Sequence, residues 1–217
     1  MIRRRDVLIG AGALLLTPKA SFAALPVPPD GRLTFDVVRK GSRIGVHELT
    51  FTRSGERLTV SVDVELSVGI GPIKFYRYTH RVSEIWQGED VVSLTAQTND
   101  DGQKLSVTCE RTPSGLLVDS TRSGRYVAPA GAHPATHWNR EMLDGPLINT
   151  QNGELLRPVV IRKGRDRVQT SAGTIVPAQR FALSGPISFE TWYDDTPSWV
   201  GLTFVAKDGS QVLYRRA

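Results

Sequence analysis

The chain has 217 residues, with 27 Lys and Arg against 22 Asp and Glu, a formal net charge of +5, and 40% hydrophobic residues. That length admits one large domain or two small ones, with enough interior for a sizeable core. The single cysteine, Cys109, excludes an intramolecular disulfide. Basic residues are interspersed with acids rather than gathered in a stripe, which argues against nucleic-acid binding.

Arg3, Arg4 and Arg5 precede a short apolar run, Val7 to Leu16. A run of about ten residues has the length of a signal-peptide core and is too short to span a bilayer. Ser21-Phe22-Ala23 offers small residues where a signal peptidase needs them, so cleavage is expected after Ala23, with a periplasmic product. Arg4-Arg5-Asp6-Val7-Leu8 resembles the bacterial twin-arginine pattern, which implies the twin-arginine translocase as the partner during export. An ordinary secretory signal is the alternative. The segment carries a net +3, so the remaining 194 residues carry only +2. No cysteine lies near the cleavage site to carry a lipid anchor, and no later apolar stretch reaches membrane length. The chain is therefore expected not to be an integral membrane protein.

Residues 24–31 form a proline-rich leader, and residues 32–217 are expected to form a single β domain. Short alternating apolar runs are punctuated by turn residues every eight to twelve positions or so, the pattern of an all-β meander, sandwich or barrel. The expected strands are 33–37, 44–51, 58–68, 75–87, 91–98, 103–111, 116–121 and 126–128. After a gap come 155–162, 167–171, 174–183, 187–192, 200–206 and 211–214. In the third run Leu58, Val60, Val62, Val64 and Leu66 share one face. Asn99-Asp100-Asp101-Gly102 and Lys207-Asp208-Gly209-Ser210 are hairpin turns. Gly69-Ile70-Gly71-Pro72 interrupts the ladder as a bend at a sheet corner. Cys109 occupies an alternating strand position and is expected to be a buried, inert thiol.

The exception is Pro129 to Gly153, an irregular connection in which His137 to Leu143 has room for one or two helical turns. Long connections inside β domains are often functional. His133, His137 and Asp144 fall here, but Pro134 opposes a helix across the two histidines, and two His with one distant acid fall short of a zinc ligand set. No metal or other cofactor is expected. The simpler reading is a plug, with Trp138 buried against the sheet and Asn139 tying down loop backbone.

Alternation along 76–86 places Tyr76, Tyr78, His80, Val82, Glu84 and Trp86 on one face of a strand. His80 and Glu84 then point the same way at a separation of about 13 Å, too far for a direct pair. Together they are polar groups in an aromatic setting, the usual composition of a ligand pocket. Trp138 and Trp192 join Tyr76, Tyr78, His80, Glu84 and Trp86 as the candidate ligand-binding set. Asp194 and Asp195 are adjacent in a turn and face opposite ways, which makes them poor as a catalytic pair. There is no Gly-x-Ser-x-Gly elbow, phosphate-binding glycine loop, His-Glu-x-x-His or Cys-x-x-Cys, so no residue is assigned a catalytic role.

Several blocks carry a family likeness: Gly41 to Gly45 (Gly-x-x-Ile-Gly), Tyr78 to Trp86 (Tyr-x-His-x-x-x-Glu-x-Trp) and Thr98-Asn99-Asp100-x-Gly102. His137-Trp138-Asn139 and Trp192-Tyr193-Asp194 follow, before a closing Phe204, Asp208-Gly209 and Tyr214. Together they resemble a family of exported bacterial proteins of unknown function. Related families have antiparallel sheets curled into a spiral or half-open barrel. The resemblance implies a fold and a compartment, and no activity.

The expected architecture is all-β, an antiparallel meander curled into an open barrel or β-spiral, with one short helix or plug loop. The expected function is a non-enzymatic periplasmic binding module for an apolar or amphipathic envelope ligand, whether lipid, glycan or peptide. One alternative is a hydrolase or isomerase using His80 and Glu84, or His133, His137 and Asp144. Another is an interaction protein that pairs through a sheet edge.

Overall fold

A computed structural model describes residues 25–70 and 73–217; the expected export signal and its cleavage site lie outside them. Eight strands run in unbroken succession: β1 Arg32–Arg39, β2 Ser42–Ser54, β3 Arg57–Ile70, β4 Ile73–Gln87, β5 Asp90–Asp100, β6 Gln103–Thr112, β7 Gly115–Ser120 and β8 Gly124–Ala128. Then come the two-residue strands β9 His133–Pro134, β10 Leu147–Ile148 and β11 Leu155–Leu156, with a 3₁₀ turn at Arg140–Asp144 between β9 and β10. The chain closes with β12 Val159–Gln169, β13 Ile175–Ser184, β14 Phe189–Tyr193, β15 Trp199–Val205 and β16 Gln211–Arg216. No α-helix occurs among the described residues. No helix there is long and apolar enough to cross a membrane.

Period-two alternation builds the sheet. Along β3, Leu58, Val60, Val62 and Val64 are buried while Ser61, Asp63 and Glu65 between them are exposed. Tight turns fix the register; at the β5–β6 corner, Asn99 Oδ1 accepts from the Gly102 amide at 2.8 Å. The result is one 13-stranded sheet in the order β12-β13-β14-β15-β16-β1-β2-β3-β4-β5-β6-β7-β8. It consists of two antiparallel meanders, β1–β8 and β12–β16, joined where β16 pairs with β1. The sheet does not close, and its free edges are β8 and β12.

Such a sheet must curl to bury one face, and a close approach at β2 marks where it does. A Cβ on Gly45 would lie 1.9 Å from the Glu65 carbonyl oxygen, so only glycine fits there. A bulge between Val37 and Val38 of β1 faces the same part of β2.

The connection from β8 to β12 passes through the hollow of the curled sheet. Trp138, Met142, Leu143, Leu147 and Ile148 are buried in the same core as Phe35, Leu49, Val60 and Leu94 of the sheet. β9, β10 and β11 form a small separate sheet within this plug.

The structure revises two local expectations. The strands expected at 155–162 and 167–171 are one strand, β12, bulged between Arg162 and Arg165, while Leu155–Leu156 belongs to the small sheet. β13 is long enough to pair on both sides of the bulge, so Lys163-Gly164 is absorbed rather than turning the chain. The helical segment is a single 3₁₀ turn that starts later, at Arg140. Asn139 caps it, its Oδ1 accepting from the Glu141 amide at 3.1 Å.

Candidate functional site

β4 presents His80, Val82, Glu84 and Trp86 inward, all buried, and the plug packs directly on them. Glu84 is fully buried, and its Oε2 accepts from two indoles, Trp86 Nε1 at 2.7 Å and Trp138 Nε1 at 3.1 Å. The Trp138 ring stands edge-on to Trp86 and to Phe51 of β2, with centroids 5.2 and 5.4 Å away. Glu84 thus satisfies two indole N–H groups that burial would otherwise strand. Burial raises its pKa, opposed by hydrogen-bonding influence from Thr136, Trp138 and Trp86, and so favours the neutral acid. Its Oε1 has no partner of hydrogen-bonding geometry among the described residues.

The rest of the plug is held by sheet side chains that bond its backbone. Tyr193 OH donates to the His137 carbonyl at 2.8 Å, Ser120 OH to that of Asn152 at 2.9 Å, and Tyr126 OH to that of Gly153 at 2.8 Å. Thr98 Oγ1 donates to the Gln151 carbonyl at 3.1 Å and lies 2.9 Å from His80 Nδ1. With the Thr98 proton committed to Gln151, His80 carries its own proton on Nδ1, and Nε2 accepts from Thr150 of the plug at 3.1 Å. Gly153 adopts φ +78 against Ser120, where a Cβ would come within 2.4 Å of the serine Cβ. These groups clamp the plug: Thr98, Ser120, Thr150, Gly153 and Tyr193 are buried, while Tyr126 and Asn152 are half-buried at its rim.

Three histidines meet at a second point. His137 has φ 69, an uncommon conformation for a side-chain-bearing residue, and stacks on Trp199 with centroids 5.1 Å apart. His47 of β2 meets the same indole edge-on at 5.1 Å. With His80 and Thr150 they line a cavity of about 60 Å³. Burial pushes all three imidazoles toward the neutral form, His80 and His137 to about 4 and His47 well below 6.5. His47 Nε2 and His137 Nδ1 are buried without hydrogen-bond partners among the described residues. No cluster of three or more His, Cys, Asp or Glu able to hold a metal is found among those residues.

The structure therefore brings together Tyr78, His80, Glu84, Trp86 and Trp138 and separates Tyr76 and Trp192 from them. Tyr76 shares their face but sits beyond the core, its hydroxyl donating to Asp100 at 2.8 Å. Trp192 points to the outside of β14, where Nε1 donates to Asp166 of β12 at 2.8 Å. Its neighbour Tyr193 is the inward residue. The His133, His137 and Asp144 set does not converge. His133 borders a cavity shared with Arg111 and Glu141, Asp144 is exposed, and His137 belongs to the other histidines. His133 and His137 are half-buried or more, because the plug runs through the interior. Cys109 is buried, and burial pushes its thiol up to about 12, which leaves it inert. Asp194 organises its turn, accepting from the Thr196 and Ser198 amides at 2.9 and 3.1 Å.

Sequence reasoning missed one concavity on the outer face of the sheet. An open groove of about 680 Å³ lies against β2, β3 and β4, lined by Ile44, Val46, Leu66 and Tyr78 and by the charged Glu48, Asp63, Glu65 and Arg77. Its floor is the close approach at Gly45. The signal available was the Gly41 to Gly45 block, since a glycine inside a strand pattern marks a place where another backbone comes close.

The chain belongs to a family described as a domain of unknown function, DUF6134, whose model matches residues 35–217. The fold is similar to the crystal structure of a β-barrel-like protein of domain of unknown function DUF1849 from Brucella abortus. The TM-score is 0.59 at 10% sequence identity, over 86% of this chain and 94% of that one. At that identity the likeness is one of fold. No curated protein matches the chain.

Proposed function

We propose that this protein is a non-enzymatic binding module of the bacterial cell envelope, and that its ligand occupies the outer groove rather than the interior. The observation that carries this reading is the contrast in space. The inward aromatic residues are committed to the plug, with only a small cavity between them, whereas the groove of about 680 Å³ is open and joins apolar to charged walls. That mixture suits an amphipathic envelope molecule, a lipid, glycan or peptide. Against catalysis, His80 bonds two threonines and Glu84 two indoles. Neither reaches the other or solvent, as general acid–base work requires.

The edge-pairing alternative draws on β12, eleven residues long and exposed at Val159 and Ile161. That edge also carries Arg162, Lys163, Arg165 and Arg167 and a bulge, the devices that keep edge strands from pairing. We place the protein in the periplasm, exported by the twin-arginine route with cleavage after Ala23. The support is the Arg4-Arg5 signal pattern and the small residues of Ser21-Phe22-Ala23.

Native mass spectrometry of protein recovered from the periplasm tests both parts. The expected N-terminus is Ala24, and Lys-Lys in place of Arg4-Arg5 should block export. A non-covalent adduct is expected on the parent and lost in Thr79→Trp, which fills the groove. An adduct retained in that variant but lost in Trp138→Phe would move the site to the interior.

A further inference from the structure

Above the groove, the β3–β4 hairpin outgrows its neighbours. Pairing with β2 ends at Gly45↔Leu66, and pairing with β5 ends at Tyr78↔Asp100. Beyond those rungs β3 and β4 pair only with each other, through Ser67↔Arg77, Val68↔Tyr76, Gly69↔Lys74 and Ile70↔Ile73. The two strands form an arm standing roughly 13 Å clear of the sheet, at 3.3 Å per residue. Its foot is tied on one side, where the Asp101 amide donates to the Arg77 carbonyl at 2.8 Å and Tyr76 OH reaches Asp100.

An isolated two-stranded hairpin is marginal in water, and one that must stay soluble is normally polar. This one is not. Phe75 is 56% exposed on the arm, and the sequence around it reads Val68-Gly69-Ile70-Gly71-Pro72-Ile73-Lys74-Phe75. No acidic residue occurs from Leu66 to Ser83, whereas Lys74, Arg77 and Arg81 do. The nearby acids sit at the foot or below it: Asp100 and Asp101 at the foot, Glu65 and Asp63 paired with Arg81, and Glu48 farther down the groove.

We propose that the β3–β4 arm docks the protein on an anionic lipid surface, with Phe75 entering the boundary between headgroups and acyl chains. Two arguments favour a bilayer over a protein partner. Four residues per strand offer far less area than the roughly 800 Å² per partner of a stable protein interface, whereas a bilayer demands no shape complementarity. The arm's chemistry, apolar with basic but no acidic residues of its own, matches a surface of anionic headgroups. Its outer backbone groups, unpaired above the last shared rungs, stay among hydrated headgroups, because hydrocarbon could not satisfy them. The proposal concerns the arm alone, and it stands whether or not the groove takes a ligand.

The test is co-sedimentation of the full chain and its Phe75→Asp variant with phosphatidylglycerol-containing and purely phosphatidylcholine vesicles. Any affinity due to residues 1–23 is common to parent and variant. The parent should bind anionic vesicles at least tenfold more tightly than the variant, and its binding should weaken with salt. A Phe75→Trp variant should show a blue-shifted emission on the same vesicles. Equal binding by parent and Phe75→Asp, or no blue shift, overturns the proposal. So does a parent that self-associates through the arm, shown by a dimer that Phe75→Asp dissolves.

Discussion

The two faces of β4 do opposite things. Inward, Val82, Glu84 and Trp86 are almost completely buried, every charge is held toward its neutral form, and the partners come from the plug. Outward, Arg81 bridges Asp63 and Glu65 in full view of solvent, and Arg77 and Thr79 line an open groove. The inner face specifies one arrangement of a long irregular connection. The outer face leaves room for another molecule. Chemically rich residues are therefore a guide to how this fold is locked, and the plainer surface is the better place to look for a ligand.

The contrast breaks most visibly at the tryptophans. Trp138 is fully buried, and Trp138→Ala should cost about 3–5 kcal/mol, read as a drop in the denaturant midpoint. Trp192, half-buried on the outside, should cost about 1–2 kcal/mol on the same change, since its ring covers less surface. Equal losses would erase the distinction between the faces.

Glu84 separates the role of its charge from that of its hydrogen bonds. Glu84→Ala strands two buried indole N–H groups and should cost about 2–4 kcal/mol. Glu84→Gln keeps an acceptor oxygen without the ionisation. A carboxyl whose folded pKa lies above its ordinary 4.5 stabilises the fold below that value and loses the contribution as pH rises through the folded pKa. Melting curves should therefore show the Gln variant gaining on the parent as pH rises above about 4.5. A gain that grows toward acid instead would mean Glu84 is held ionised.

The histidines should act in the opposite sense. Imidazoles held below 6.5 in the folded state take up protons on unfolding, so their stability is complete above about pH 6.5 and drains away toward pH 4. Replacing His47 by Phe keeps an aromatic ring against Trp199 and removes a buried unpartnered nitrogen. That variant should lose less stability than the parent between pH 7 and 5. The smallest effect belongs outside: Arg81→Ala, at an exposed ion pair, should change stability by no more than about 0.5 kcal/mol.

Much of this was legible in the sequence. Alternation in 58–66 and 76–86 located strands and faces, because one buried face forces a period of two, and turn residues located most corners. Trp138 as a plug residue followed from a bulky ring in an irregular segment. What could not be read was which strands meet across long separations. β16 pairs with β1, and the chain then threads its own hollow, so His47, His80 and His137, remote in sequence, share one cavity. Trp192 was assigned to the inner set because single-strand alternation does not reveal which face is inward. The bulge at Trp192/Tyr193 and the true inward residue, Tyr193, needed the partner strand. The groove escaped notice because it is built from ordinary surface residues over a glycine.

Amide hydrogen exchange across residues 129–158 tests the interlocked plug most directly. In the parent, the buried amides of Trp138, Leu147 and Ile148 should exchange only with global unfolding, as slowly as those of β3 and β5. In Trp138→Ala they should exchange by local opening while β3 and β5 keep their protection relative to the variant's own stability. Free exchange of the plug in the parent would contradict the account, since the interior residues would then be open to a ligand after all.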